Sequence, residues 1–319
     1  MSGTLLVLSR EDVAAHLSYE ACIPLMRAAM TALSRGRTRQ LLRSIIDMEG
    51  GRAFGVMPGA GPETFGAKLI SVFPAGESRA PSHQGVVASF DPATGAPVAI
   101  VDGSELTGIR TAAASAAATE ALARPDSRRL AILGTGEQAL RHIDAIRAAM
   151  PIERVTIWGR SADKAEALAA RTGGAVAESP QEAAAEADII CTVTASPEPI
   201  LLGRWIAPGT HINLVGSSRA GPVEVDSDLV RRARLFADHE EGVRRQGAEF
   251  LKALEEGAVG EDHLLGEIGE VMAGTLPGRL SASDVTIYKS LGSIVQDLAA
   301  CAWLVEKALA EEFGTRAPF

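Results

Sequence analysis

Arg43, Lys68 and Arg110, spread over the first third of the chain, are the side chains best suited to work on a small anion. A guanidinium offers a planar fork that matches a carboxylate, and a desolvated lysine can exchange a proton near neutrality. In a chain carrying 31 lysines and arginines, any one of the three could equally be a solvated surface cation. Arg110 is the exception. It sits in Thr107-Gly-Ile-Arg110-Thr-Ala-Ala-Ala-Ser115, a small and apolar stretch in which a charge needs a partner. His83 and Gln84 stand at the end of a short apolar run, and a histidine there is more often hydrogen-bonded structure than a catalyst.

A second constellation lies downstream. Leu130–Leu133 reads as a buried strand that breaks at Gly134-Thr135-Gly136 and turns into a helical pattern with Ala139, Ile143 and Ile146 on one face. Gly-x-Gly-x-x-Ala in this setting fits a dinucleotide pyrophosphate lying on a helix N-terminus, although the motif alone is weak. The next strand, Val155–Trp158, runs into Gly159-Arg160-Ser161 with no acid to hold ribose hydroxyls. Arg160, Ser161 and Lys164 could therefore hold a 2′-phosphate, or Arg160 could lie on adenine or in solvent, so NAD(H) and NADP(H) both stay open. The six histidines have no metal-ligand spacing, and there is no Gly-x-Ser-x-Gly elbow.

The surrounding pattern supplies the elements. Leu5–Leu8 reads as a strand, Ser9 and Ser18 as helix caps, and Pro24 as a kink or a shifted helix start. Short runs at 42–48, 53–57, 66–73, 85–90 and 97–101 suggest an antiparallel sheet, followed by an alanine-rich helix at 112–123. From residue 130 onward, apolar strands at 130–133, 155–158, 187–194, 210–215 and 234–238 alternate with helical patterns. This predicts an α/β fold with a doubly wound parallel sheet. Residues 121–292 are expected to form a Rossmann dinucleotide-binding domain. Residues 1–120 would form an α+β domain, to which the last helix and tail, 293–319, return. At 319 residues, 46% hydrophobic and with net charge −9, the chain does not suit nucleic acid or an anionic membrane as its partner. It shows no leader or spanning run, and its three isolated cysteines suit a reducing cytoplasm.

Several pieces, in order, carry a resemblance over nearly the whole chain. They are Gly66-Ala-Lys68 with Pro74, the Thr107–Ser115 stretch, and Gly134-Thr-Gly-Glu-Gln-Ala139. They continue with His211-Ile-Asn-Leu-Val-Gly216, Glu224-Val-Asp226, and Lys289-Ser-Leu-Gly292 with Asp297. The sequence resembles the ornithine cyclodeaminase/mu-crystallin family. That resemblance implies a homodimer whose N-terminal substrate and dimerisation domain is completed by the C-terminal helix, beside a Rossmann domain. It also implies a nicotinamide cofactor and α-imino or α-amino acid substrates. Arg43 and Arg110 match the arginines that grip the α-carboxylate, and Lys68 matches the active-site lysine. Gly134, Thr135, Gly136, Glu137 and Gln138 match the pyrophosphate turn, and Thr111 is a further cofactor-binding position. Thr192, Val193, Thr194, Val215 and Gly216 look like walls near the nicotinamide, and Ser217, Lys289, Ser290 and Gly292 are further cofactor-binding positions. Where the deaminating members carry an aspartate, this chain has Gly216-Ser-Ser-Arg-Ala-Gly221, with no acid before Glu224. A second acid/base group is thus missing, which favours reduction of a preformed imine over deamination. The likeness is therefore to the imine reductases acting on iminosuccinate or Δ1-pyrroline-2-carboxylate, and His83, Gln84 and Arg219 would suit a second carboxylate. The alternatives are a deaminating enzyme using Glu224 or Asp226, and a cofactor-dependent binding protein without a catalytic role.

Overall fold

The computed structural model describes residues 3–73, 83–218 and 220–319. The chain divides into two compact units, residues 1–111 with 293–319, and residues 112–292. The first is built from β1 (Thr4–Leu8), α1 (Arg10–His16), α2 (Tyr19–Ser34), β2 (Arg39–Gln40), β3 (Ser44–Met48), β4 (Arg52–Ala60), β5 (Phe65–Val72), β6 (His83–Phe90) and β7 (Pro97–Asp102), together with a C-terminal helix (Ile294–Glu311) and strand (Thr315–Pro318). Its sheet runs C-terminal strand–β1–β7–β6–β5–β4–β2, with β3 also on β4. The β1–β7 pair is parallel and the other pairs are antiparallel.

Local chemistry explains the helices of this unit. Ser9 and Asp12 form a reciprocal capping box that starts α1, and the Ser18 hydroxyl accepts from Ala21 N to start α2. Pro24 lies inside α2, which nevertheless begins at Tyr19 and continues to Ser34. The proline removes one i→i−4 bond, and burial of Cys22, Ile23, Met26 and Met30 offsets that loss. Across the sheet, Met57, Lys68, Val87 and Val101 stand opposite one another in register. All four are buried, and the C-terminal helix packs on β4, β5, β6 and α2. One lysine thus interrupts an otherwise apolar row. A long helix, α3 (Gly103–Leu122), starts in this unit, with the Asp102 carboxylate accepting from Glu105 N at 2.7 Å.

The second unit is a parallel sheet of β8 (Arg129–Leu133), β9 (Arg154–Trp158), β10 (Ala175–Val176), β11 (Ile189–Thr192), β12 (His211–Leu214), β13 (Ala233–Ala237), β14 (Leu264–Glu267) and β15 (Val285–Lys289). The order is β10-β9-β8-β11-β12-β15-β13-β14, and every pair is parallel. α4 (Glu137–Ala149) and α5 (Ala162–Thr172) follow β8 and β9, and α5 ends at Gly173 in the left-handed conformation. Ser161 stands at the N-cap of α5 but makes no side-chain capping bond. β15 is an addition to the expected strands. Its five residues are buried, and it inserts between β12 and β13 although it comes last in sequence. The fold is thus α/β, a Rossmann-like parallel sheet plus a mixed sheet. No helix among the described residues is long and apolar enough to cross a membrane.

Candidate functional site

In the first unit, burial and register bring the expected cations to one place. Lys68 on β5 and Arg110 on α3 are 2% and 3% exposed, so both charges must be answered from within the protein. The answer comes from the first turn of the C-terminal helix. Asp297 Oδ1 accepts from Lys68 Nζ at 3.3 Å and from Arg110 Nε at 3.0 Å, while Gln296 Oε1 accepts from Arg110 Nη1 at 2.7 Å. Burial pushes the Lys68 ammonium down, Asp297 opposes this, and Arg110 and Arg43 add to it, leaving the group at about 8. Burial pushes the Asp297 carboxyl up, but Arg110 and Lys68 outweigh it and hold the group below the usual carboxylate range. Arg43, just before β3, is half-buried and close enough for its charge to act on Lys68. Two buried cations therefore share one carboxylate oxygen.

Neither Asp297 nor Gln296 was singled out from spacing as a site residue. A signal was present, since both lie in the apolar run Ile294-Val-Gln-Asp-Leu298, and Asp297 is a charge that needs a partner for the same reason as Arg110. Gln84 is not brought to the cluster. It pairs with Ser71, three residues along β5 from Lys68, so alternation along the strand turns it to the other sheet face. There it lines a cavity of about 520 Å³ with Arg10, Phe54, Leu69, Ser71 and Asp102. His83 opens β6 opposite Val72; its side chain, like Arg219 and Pro74, lies outside the described residues.

In the second unit, the β8–α4 turn has the form a dinucleotide needs. Gly134 has φ +132°, and a Cβ there would lie 2.7 Å from Val193 O, so only glycine lets the chain turn this tightly. A Cβ on Gly136 would meet nothing within 4 Å, and α4 begins without a side-chain cap, leaving its first N–H groups to a ligand. Gln138 Oε1 is buried there with no partner among the described residues. Glu137 is exposed, and the half-buried Thr135 lies between the two glycines. Thr111, 9% exposed, is the last residue of the first unit's share of α3. Arg160 and Lys164 are exposed beyond β9, and Ser161 is half-buried. The second unit's glycine turn and the open start of α4 fit a nicotinamide dinucleotide.

The remaining expected cofactor residues form braces. Glu224 is buried and accepts from Thr192 Oγ1, Thr194 N, Thr194 Oγ1 and Gly216 N, all within 2.8 Å. It thereby ties the loops after β11 and β12 together, with Val193 and Val215 in those loops. Burial raises the Glu224 carboxyl despite these donors. A Cβ on Gly216 would collide with Thr194 O and the Glu224 carboxylate, so this approach also requires glycine. Asp226 caps the helix Ser227–Arg232 and accepts from Gly203 N at 2.8 Å. Neither acid is free to replace the aspartate missing from 216–221.

Lys289 points inward. Its ammonium donates to Ser217 O at 2.6 Å and pairs with Glu249 Oε2 at 2.7 Å, an ion pair out of hydrogen-bond alignment. Ser290 N donates to Leu214 O. Leu291 N and Gly292 N donate to the buried Asp238 carboxylate at 2.8 and 2.6 Å. His142 and His211 are pushed down by burial to about 4 and about 3, which makes them neutral hydrogen-bonded residues. No cluster that could hold a metal occurs among the described residues.

The ketimine reductase mu-crystallin of Mus musculus is 38% identical over 303 residues, covering 92% of this chain and 94% of that protein. The structure of Thermococcus litoralis Δ1-pyrroline-2-carboxylate reductase in complex with NADH and L-proline matches with TM-score 0.93 and 32% identity, covering 98% of this chain and 100% of that one. The iminosuccinate reductase of Paracoccus denitrificans in complex with NAD+ matches with TM-score 0.92 and 29% identity, covering 99% and 100%. The family model described as ornithine cyclodeaminase/mu-crystallin matches residues 4–312. On the family match and these identities together, the chain belongs to the ornithine cyclodeaminase/mu-crystallin family.

Proposed function

We propose that the protein is an NADH- or NADPH-dependent reductase that converts a small α-imino acid to the L-amino acid. The observation that carries this reading is the buried pair of cations, Lys68 and Arg110, sharing the carboxylate of Asp297, with Arg43 near enough for its charge to act on Lys68. Its excess positive charge suits an anion, and a low-dielectric setting makes that attraction strong. The bound cofactor supplies two electrons and a hydrogen to the imine carbon. Arg110 and Arg43 hold the α-carboxylate. Lys68, titrating at about 8, is mostly protonated at neutral pH and donates a proton to the imine nitrogen. Burial of Lys68 and Arg110 keeps water from competing for those contacts.

Reduction is favoured over deamination because Glu224 and Asp226 are both taken up by backbone and hydroxyl donors. Iminosuccinate, giving aspartate, is the first candidate substrate and Δ1-pyrroline-2-carboxylate the second, each supported by a related reductase of similar fold. The related structures with NADH or NAD+ and the uncapped glycine turn support the cofactor. A homodimer is part of the reading, supported by the edge strand β3, where Ile45, Ile46 and Met48 are 45%, 62% and 38% exposed. Free, buried cysteines support action in a reducing cytoplasm.

The test follows absorbance of NADH and NADPH with oxaloacetate plus ammonia and with Δ1-pyrroline-2-carboxylate. Oxidation of at least one cofactor is expected, with kcat/KM falling as pH rises through about 8, where Lys68 loses its proton. No oxidation with any imino acid, or ammonia release from ornithine, would overturn the reading.

A further inference from the structure

We propose that Gln296 and Asp297 are positioning residues of this same site, fixing the Arg110 guanidinium and the Lys68 ammonium in the orientation that binds the acid and delivers the proton. The proposal rests on the reductase reading above. Arg110 is held at two of its three nitrogens, with Nη1 donating to Gln296 and Nε to Asp297, so Nη2 is the nitrogen left for a substrate carboxylate. The same Asp297 oxygen, Oδ1, accepts from Lys68 and so couples the two cations. Asp297 Oδ2 and Gln296 Nε2 are buried with no partner among the described residues, although both side chains are fully buried. A carboxylate and an amide serving only to neutralise buried cations would be expected to use these atoms as well.

Lys68 is faced by Asp297 from the C-terminal helix, by Arg110 from α3, and by Arg43 from the segment before β3. Two thiols are also near: Cys22 on α2, which senses Arg110 and Asp297, and Cys301 on the C-terminal helix, which senses Asp297. Burial pushes both up to about 12, so they stay neutral through the working range. Among these groups, Asp297 is the one that favours the charged form of Lys68.

Two substitutions in the full chain test this in opposite directions. Asp297→Asn removes the negative charge, so the alkaline limb of kcat/KM should move to lower pH by about one unit or more. Gln296→Glu adds a negative charge at Arg110, so the limb should move to higher pH while KM for the imino acid rises severalfold. If Asp297→Asn does not fold, the Gln296→Glu limb decides alone. The Lys68 proton is also read without turnover, by titrating the ¹³Cε resonances of labelled lysine. The chain has only five lysines, so Lys68→Met assigns the signal. Limbs and Lys68 titrations that stay at the wild-type position in both variants overturn the proposal, even if rates fall. If the wild type reduces no imino acid, the reductase reading fails, and the resonance titration still decides whether these residues set the Lys68 proton.

Discussion

Lys289 with Glu249 in the second unit and Lys68 with Asp297 in the first are both buried lysine–carboxylate pairs, but their surroundings differ. Lys289 also donates to Ser217 O, and Glu249 Oε1 accepts from Glu224 N. Glu224 in turn has a donor on each oxygen, and Asp238 takes the N–H groups of His239, Leu291 and Gly292. In the first unit one carboxylate serves two cations, while its second oxygen and the neighbouring amide nitrogen are left over. A network whose carboxylates take backbone N–H groups braces backbone. A cluster with surplus positive charge and spare donors is arranged for something that comes and goes.

The sharpest way to break this contrast is to make the same change on both sides. Lys68→Met should lower kcat/KM about 10²–10⁴-fold, the usual range for a lost acid/base group. Its urea unfolding should change little, because an apolar side chain of similar length fits the row of Met57, Val87 and Val101. Lys289→Met should instead cost about 3–5 kcal/mol in the same unfolding experiment, because Glu249 is left as a buried, unpaired charge. Exchanged phenotypes would show that the division between brace and site is wrong. A smaller effect is expected for Glu224→Gln, whose amide cannot accept from all four donors. We expect about 1–3 kcal/mol of lost stability, with weaker dinucleotide binding measured by fluorescence titration. Smallest is the exposed Arg160→Ala, which sharpens the cofactor choice. If Arg160 holds a 2′-phosphate, affinity for NADPH should drop about tenfold while that for NADH stays the same. Equal changes for both cofactors would remove the phosphate from its role.

Local signals in the chain carried far. Apolar strands broken by Gly134 and Gly136, and alternating short runs before residue 101, sufficed for the α/β class. The embedding of Arg110 among alanines marked it as a charge with a buried partner. The same rule applied to Asp297 would have found that partner, 187 residues away. Gln84 was harder. Its face relative to Lys68 depends on hairpin register, and a shift of one residue reverses the face. Lys289 was placed at the cofactor by resemblance, and nothing near it in sequence announces Glu249 or Ser217 as its neighbours in space. β15 was missed because Val285-Thr-Ile-Tyr-Lys289 leads directly towards a long helix, and a late strand that inserts between earlier ones leaves no mark on periodicity.

That late strand affects how the molecule is made. Until residues 285–289 emerge from the ribosome, β12 and β13 have no strand between them, and each presents an open parallel edge, a form prone to mispairing. The helix and strand that complete the other sheet's unit come only after it, at 294–311 and 315–318. Nascent chains therefore carry two unfinished sheets until synthesis is nearly over, and a truncation of a few dozen residues at the carboxyl end would damage both halves.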